Sequence, residues 1–335
     1  PNGQQLASSS DDKTVKLWKL DGTEIHTLRG HKARVIGLAV DPDGQFLTSA
    51  SEDNIARRWK LKQDLFTKLM GHQGSVRGVD VSLTHASNAT FATAGVDRTI
   101  KLWRLDGTLL ETLTGHAAAV WDVRFLPGGR LVSASGDATL KIWRSDGTLV
   151  QTLEGHRAGV YSIDLSSDGR WLVSGGWDTT AKLWHAEDGS LVRTFDRHQG
   201  IVWDVAFSSD SQWWVSGSAD KTAIIWRRDG TPLHVLVGHK ADIWGVEVSP
   251  DDRYIATASL DGAVKLWHAD DGTLVRTFET GGAGLHGVTF SPDSRQIPAA
   301  SLDGTVTIWE IDRGTKISLY GHETSVDLVR FVGDS

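Results

Sequence analysis

Short apolar runs, four to seven residues long, recur along the whole chain, as in VWDVRF (120–125), WLVSGG (171–176) and AKLW (181–184). Apolar and polar positions alternate within them, the period of a strand with one face buried. Between the runs stand SPDD (249–252), SSDG (166–169) and EDG (187–189), whose Pro, Asp and Gly favour turns. No stretch carries a helical period. The pattern predicts four strands per unit, and a four-stranded sheet cannot bury both its faces alone. Stacked neighbours must supply the core.

The units are regular. Trp18, Trp59, Trp103, Trp143, Trp184, Trp226, Trp267 and Trp309 follow one another at spacings of 41, 44, 40, 41, 42, 41 and 42 residues. Six residues before each lies an Asp: Asp12, Asp53, Asp97, Asp137, Asp178, Asp220, Asp261 and Asp303. Four residues earlier comes Ser8, Ser49, Thr93, Ser133, Ser174, Ser216 or Thr257. Gly-His stands at His31, His72, His116, His156, His239 and His322, and Arg197-His198 keeps the histidine. Residues 181–195 and 264–278 agree at 12 of 15 positions, as duplicated units would.

A period near 41 residues with Gly-His, then Asp, then a closing Trp resembles the WD40 family. The Trp is followed here by Lys, Arg, His or Glu rather than the Asp of the family's name. The resemblance covers the whole chain and implies an all-β fold: an eight-bladed WD40 β-propeller with four antiparallel strands per blade. Residues 1–335 are expected to form one such domain. The chain begins at a unit's second strand and ends with a first strand. A closing blade built from 1–29 plus 322–335, with Val326–Phe331 beside Gln5–Ser10, would complete the ring. The structural alternative is seven blades and a stray segment.

The remaining composition narrows the function. A net charge of −7 with mixed signs argues against nucleic acid, which needs a basic stripe. There are no cysteines, and no apolar run is long enough to span a membrane. No histidine pair has metal-ligand spacing, so no metal or other cofactor is expected. The chain opens on Pro1 and its only methionine is Met70, so a longer parent is expected, with a cytoplasmic location.

The resemblance also implies a hydrogen-bond chain within each blade, from Asp to His to Ser/Thr to Trp. Its members would be His31, His72, His116, His156, His198, His239 and His322 with Asp12, Asp53, Asp97, Asp137, Asp178, Asp220 and Asp261. Asp, His and Ser together invite a hydrolase reading, but a trio repeated seven times points to structure, and no enzyme is expected. One unit departs: it has Gly281 for His, Ala299 for Ser/Thr and Pro298 in the same strand. Losing two members together is what a shared network predicts, since a half-satisfied network is worse than none.

Partner contacts must come from positions that vary while the framework repeats. Three rows do so near one end of the sheets, the end that the family commonly uses for binding. The first is Arg34, Ser75, Ala119, Gly159, Ile201, Asp242, Gly284 and Ser325; the second, two residues on, is Ile36, Arg77, Trp121, Tyr161, Trp203, Trp244, His286 and Asp327. The third is Asp11, Glu52, Val96, Gly136, Trp177, Ala219, Leu260 and Leu302. Trp121, Tyr161, Trp177, Trp203 and Trp244 form an aromatic arc, faced by Arg34, Arg77, Glu52, Asp11 and Asp327. The arc is read as interface anchors or as rings packed on their neighbours. At the other end, Phe46, Trp171, Trp213 and Tyr254 share one register, with Trp214 beside Trp213.

The expected function is a non-catalytic scaffold or sensor binding protein or peptide. By resemblance to large bacterial proteins, it would sit in a signalling protein beside a covalently linked neighbour. The second reading is carbohydrate or small-ligand binding through the aromatic arc.

Overall fold

The computed structural model describes residues 3–41, 43–61, 65–82 and 90–332. Most of the enlarged loop Ser82–Thr90 and the last residues of each terminus lie outside that set. Among the described residues there are eight four-stranded antiparallel sheets and a single helical turn, Pro127–Gly129. Blades are numbered here by their innermost strands. Blades 1 to 4 start with Val35–Val40, Val76–Val81, Val120–Phe125 and Val160–Leu165. Blades 5 to 8 start with Val202–Phe207, Ile243–Val248, Leu285–Val288 and Val326–Val332.

The strand burial patterns set the radial order. Second strands such as Trp171–Gly176 are buried along almost their whole length. Outer strands such as Leu191–Phe195 are exposed except for the last residue, Phe195. Eight apolar clusters fill the spaces between blades. One joins Trp18, Val326, Val329 and Phe331 of blade 8 to Val306 and Ile308 of blade 7. Another joins Ala7, Leu17 and Val332 of blade 8 to Val35, Leu38 and Trp59 of blade 1. Blade 8 is therefore sandwiched like the others, although its strands come from both chain ends.

The closing pair is in register: Gln5 faces Val332, Ala7 faces Arg330, and Ser9 faces Leu328. Its side chains reinforce it, since Ser325 Oγ donates to Asp11 Oδ2 at 2.8 Å. Arg34 of blade 1 holds Asp11 at 2.6 Å and also pairs with Asp327, so one guanidinium grips both chain ends. Eight blades, not seven and a stray segment, close the ring.

Every blade repeats one irregularity. The innermost strand and its neighbour shift register by one residue, at Val35/Gly37, Val76/Gly78, Val120/Asp122 and Val160/Ser162. The same shift occurs at Val202/Asp204, Ile243/Gly245, Leu285/Gly287 and, in blade 8, around Asp327. A bulge leaves one residue unpaired and re-aims its side chain. The bulged peptides press on the preceding blade. A Cβ on Gly37 would stand 2.8 Å from the Arg77 carbonyl oxygen, which explains why that position has none.

Deleting residues 322–335 removes the closing strand and leaves an open sheet edge. The expected outcome is concentration-dependent aggregation in light scattering; a cooperative monomer would contradict it.

Candidate functional site

Seven blades hold the hydrogen-bond chain. In blade 4, the Trp184 indole donates to Ser174 Oγ at 2.9 Å, Ser174 Oγ meets His156 Nε2 at 2.8 Å, and His156 Nδ1 meets Asp178 at 3.0 Å. The Arg157 amide also donates to that carboxylate, at 2.8 Å. In blade 8 the chain crosses between the termini: Asp12 to His322 at 2.7 Å, His322 to Ser8 at 2.8 Å, and Trp18 to Ser8 at 2.8 Å. His31, His72, His116, His198 and His239 make the same bonds to Asp53, Asp97, Asp137, Asp220 and Asp261. Burial holds His31, His116, His156 and His239 below the ordinary imidazole range, so they are neutral at pH 7. Burial would raise the Asp178 carboxyl, but bonds from His156, Arg157 and Thr180 outweigh it and hold it far below its usual value. The hydroxyls of Ser8, Ser174 and their counterparts belong to fully buried residues, out of reach of any substrate.

Blade 1 adds a cation. Arg57 donates to Asp53 at 2.9 Å and to the Gly30 carbonyl oxygen at 2.7 Å, from the position that Lys182 fills in blade 4. Blade 7 lacks the chain. Ala299 offers the Trp309 indole no acceptor, and Asp303 is exposed, holding only the amide and hydroxyl of Thr305 beyond its own turn. Thr280 instead turns its hydroxyl to the Gly262 carbonyl oxygen at 2.8 Å.

The second variable row coincides with the bulges. Ile36, Arg77, Trp121, Tyr161, Trp203, Trp244, His286 and Asp327 all line one cavity of about 270 Å³ at a mouth of the central channel. The first and third rows meet beside it, because each third-row amide donates to a first-row carbonyl: Glu52 to Arg34 at 2.9 Å, Trp177 to Gly159 at 2.8 Å, Asp11 to Ser325 at 3.0 Å.

The mouth side chains touch in sequence. Arg77 lies 5.6 Å from the Trp121 ring centre. Trp121 neighbours Tyr161 at 6.1 Å and Trp177 at 6.3 Å. Tyr161 meets Trp203 edge-on at 5.4 Å, and Trp203 stacks on Trp244 at 4.9 Å. Trp244 stacks on His286 at 4.8 Å, and His286 bonds to Asp327 at 3.1 Å. Trp177 is the most open of the rings, 43% exposed. The charged arc is paired with itself: Arg34 with Asp11 and Asp327, and Arg77 with Glu52 at 3.0 Å. Sequence reading placed His286 in its row without assigning it a role. Its ring continues the aromatic arc, and its nitrogen joins that arc to the charged one.

Below the mouth lie side chains that sequence reading did not single out. Asp80 accepts the Phe125 amide at 2.7 Å, Asp164 the Phe207 amide at 2.7 Å, and Asp204 the Val246 amide at 3.0 Å. Each ties one innermost strand to that of the next blade. Asp204 also accepts from Ser162 at 2.9 Å. Burial pushes Asp80 and Asp204 up to about 6 and Glu247 up to about 7. Arg124 and Arg330 are the cations beside them. At the other end, Trp171 rests against His185 and Arg228, Phe46 lies under Arg58, and Trp214 is fully buried.

The WD domain, G-beta repeat family matches residues 1–19, 22–60, 63–104, 107–144, 147–185, 189–227, 230–268 and 272–310. Nuclear distribution protein nudF 2 of Penicillium rubens is 31% identical over 138 residues, 40% of this chain and 24% of that protein. The Arabidopsis thaliana protein described as non-functional target of rapamycin complex subunit LST8-2 is 48% identical over 48 residues, 14% of this chain and 15% of that protein. The crystal structure of the computationally designed Ika8 protein superposes with a TM-score of 0.81 at 27% identity, covering 92% of this chain and 93% of that one.

Two outcomes test the hydrogen-bond chains. Ser174→Ala strands the Trp184 indole and His156 together and is expected to cost about 1–3 kcal/mol in urea unfolding; an unchanged midpoint would contradict this. The imidazoles of His31, His116, His156 and His239 titrate below their unfolded value of about 6.5, so their stability is present above that pH and is lost as pH falls. Between about pH 7.5 and about pH 5, His156→Gln should therefore show a shallower fall in stability than the parent chain. An equal or steeper fall would contradict the neutral assignment. In limited proteolysis, first cuts are expected within residues 280–310, the blade without a chain; cuts spread evenly over the eight blades would contradict a soft blade 7.

Proposed function

The chain belongs to the WD40-repeat family, and from that premise we propose that it is a non-catalytic platform whose channel mouth binds a peptide or protein segment. WD40 propellers commonly serve as protein-interaction scaffolds. The observation that carries the reading here is the continuous run of rings from Trp121 to His286, set at five of the eight equivalent bulges on a closed ring. Sheets on both sides hold each bulge, so few side chains need ordering on contact, and less conformational entropy is lost. Trp and Tyr are enriched among the few residues that carry most of the binding energy in protein interfaces, and Trp177 is the ring least covered by its own protein.

The self-paired charged arc sets orientation rather than affinity in this scheme. The Arg34–Asp11 and Arg77–Glu52 pairs are partly exposed, and such pairs contribute about 0–1 kcal/mol. A role inside a larger signalling protein, beside a linked domain, fits a rigid platform of this kind. The second reading, a carbohydrate or small-ligand site on the same arc, draws on the same open ring of Trp177.

Peptide selection against the immobilised chain separates the readings. Selected peptides are expected to lose at least tenfold in affinity, about 1.4 kcal/mol, on Trp177→Ala combined with Trp203→Ala. Peptides that ignore both substitutions, or binding confined to a glycan array, would overturn the platform.

A further inference from the structure

We infer that the mouth admits one cationic side chain of a bound peptide, its guanidinium passing the Trp121–Tyr161–Trp203–Trp244 arc to rest against Asp204 and Glu247. The inference rests on the peptide-binding reading above and deepens it.

Charge complementarity selects this occupant. The cavity framed by the four rings is also lined by Asp122, Asp204 and Glu247. It continues into a lower chamber that adds Asp80 and Asp164. Against these five carboxylates stand two guanidiniums, Arg124 and Arg330. Arg124 is already engaged by Asp122 at 3.5 Å. The mouth arginines do not offset the excess, because Arg34 and Arg77 are matched by Asp11, Asp327 and Glu52. Asp80, Asp164 and Asp204 take backbone amides from the next blade. Burial raises the Glu247 carboxyl, Asp204 and Asp164 add to the rise, and the Arg330 and Arg124 charges oppose it.

The aromatic arc suits the same ligand. Indole faces attract cations by about 0.5–2 kcal/mol in general, and Arg77 already lies over Trp121. A cavity of about 270 Å³ has room for a side chain rather than a folded element.

Proton linkage gives the site a signature. The charged groups facing Glu247 are Asp204 on blade 5, Asp164 on blade 4, Asp122 and Arg124 on blade 3, Asp80 on blade 2 and Arg330 on blade 8. Blades 1 and 7 contribute Ala39 and Thr289 at this level. Burial raises Glu247 to about 7 and Asp204 to about 6. A cation beside them favours their ionised forms, so its binding releases protons and strengthens as pH rises through that range.

The test uses acetyl-arginine amide and its neutral isostere acetyl-citrulline amide, with tryptophan fluorescence and calorimetry in two buffers of different ionisation heat. The arginine amide is expected to bind saturably with proton release, about tenfold more tightly at about pH 8 than at about pH 5. The citrulline amide is expected not to bind. Glu247→Gln should weaken the arginine amide about tenfold and reduce the proton release. Equal binding of both amides, or Glu247→Gln without effect, overturns the inference. If that variant fails to fold, proton release in the parent chain decides, and its absence overturns the inference. Failure of the arginine amide while Trp177- and Trp203-dependent peptide binding persists removes this inference alone. Loss of both removes the platform reading with it.

Discussion

A sheet with two apolar faces has to be covered on both sides. Each four-stranded blade buries its second and third strands only between two neighbours, and a linear stack would leave two blades half bare. Pairing Gln5–Ser10 with Val326–Val332 removes the problem by leaving no end blade. Arg34, reaching from blade 1 to Asp11 and Asp327, fastens that join where it meets the channel mouth. The mouth geometry therefore depends on closure, because its charged arc is assembled from both ends of the chain.

The ring separates two kinds of position. Framework residues repeat because each sits in the same buried chain of Trp, Ser or Thr, His and Asp. Bulge residues vary because the register shift frees their side chains from strand alternation and turns them to the mouth. The framework histidines and the carboxyls below the mouth respond oppositely to acid. Neutral buried histidines lose their contribution as pH falls below about 6.5. The carboxyls below the mouth, raised by burial, are better accommodated once protonated, so their contribution grows over the same range.

Much of this could be read from the chain itself. The Trp period gave the blade number, Gly281 and Ala299 marked the blade without a hydrogen-bond chain, and variation against the framework located the three rows. The bulge was also written there: Val35 and Leu38, Val120 and Val123, and Val202 and Val205 are buried pairs three apart, where an even strand would put them two apart. Other features depend on closure and are invisible locally. Arg34 and Asp327 are 293 residues apart in sequence, and nothing near either predicts their pairing. Asp80, Asp164, Asp204 and Glu247 each look like an ordinary polar strand position. They become a cluster only when the innermost strands converge on one axis. Trp214 illustrates the reverse, an indole beside the exposed-looking Trp213 that is fully buried under Phe195 and Trp226.

Amide hydrogen exchange across the join tests the central claim most directly. Residues Leu6–Ser9 and Val329–Phe331 are expected to exchange as slowly as the matching strands Leu47–Ala50 and Leu38–Val40 of blade 1, because both pairs are enclosed on two sides. Exchange at the join orders of magnitude faster than in blade 1 would mean that the chain ends fray, that the ring is open in solution, and that the mouth described here does not persist.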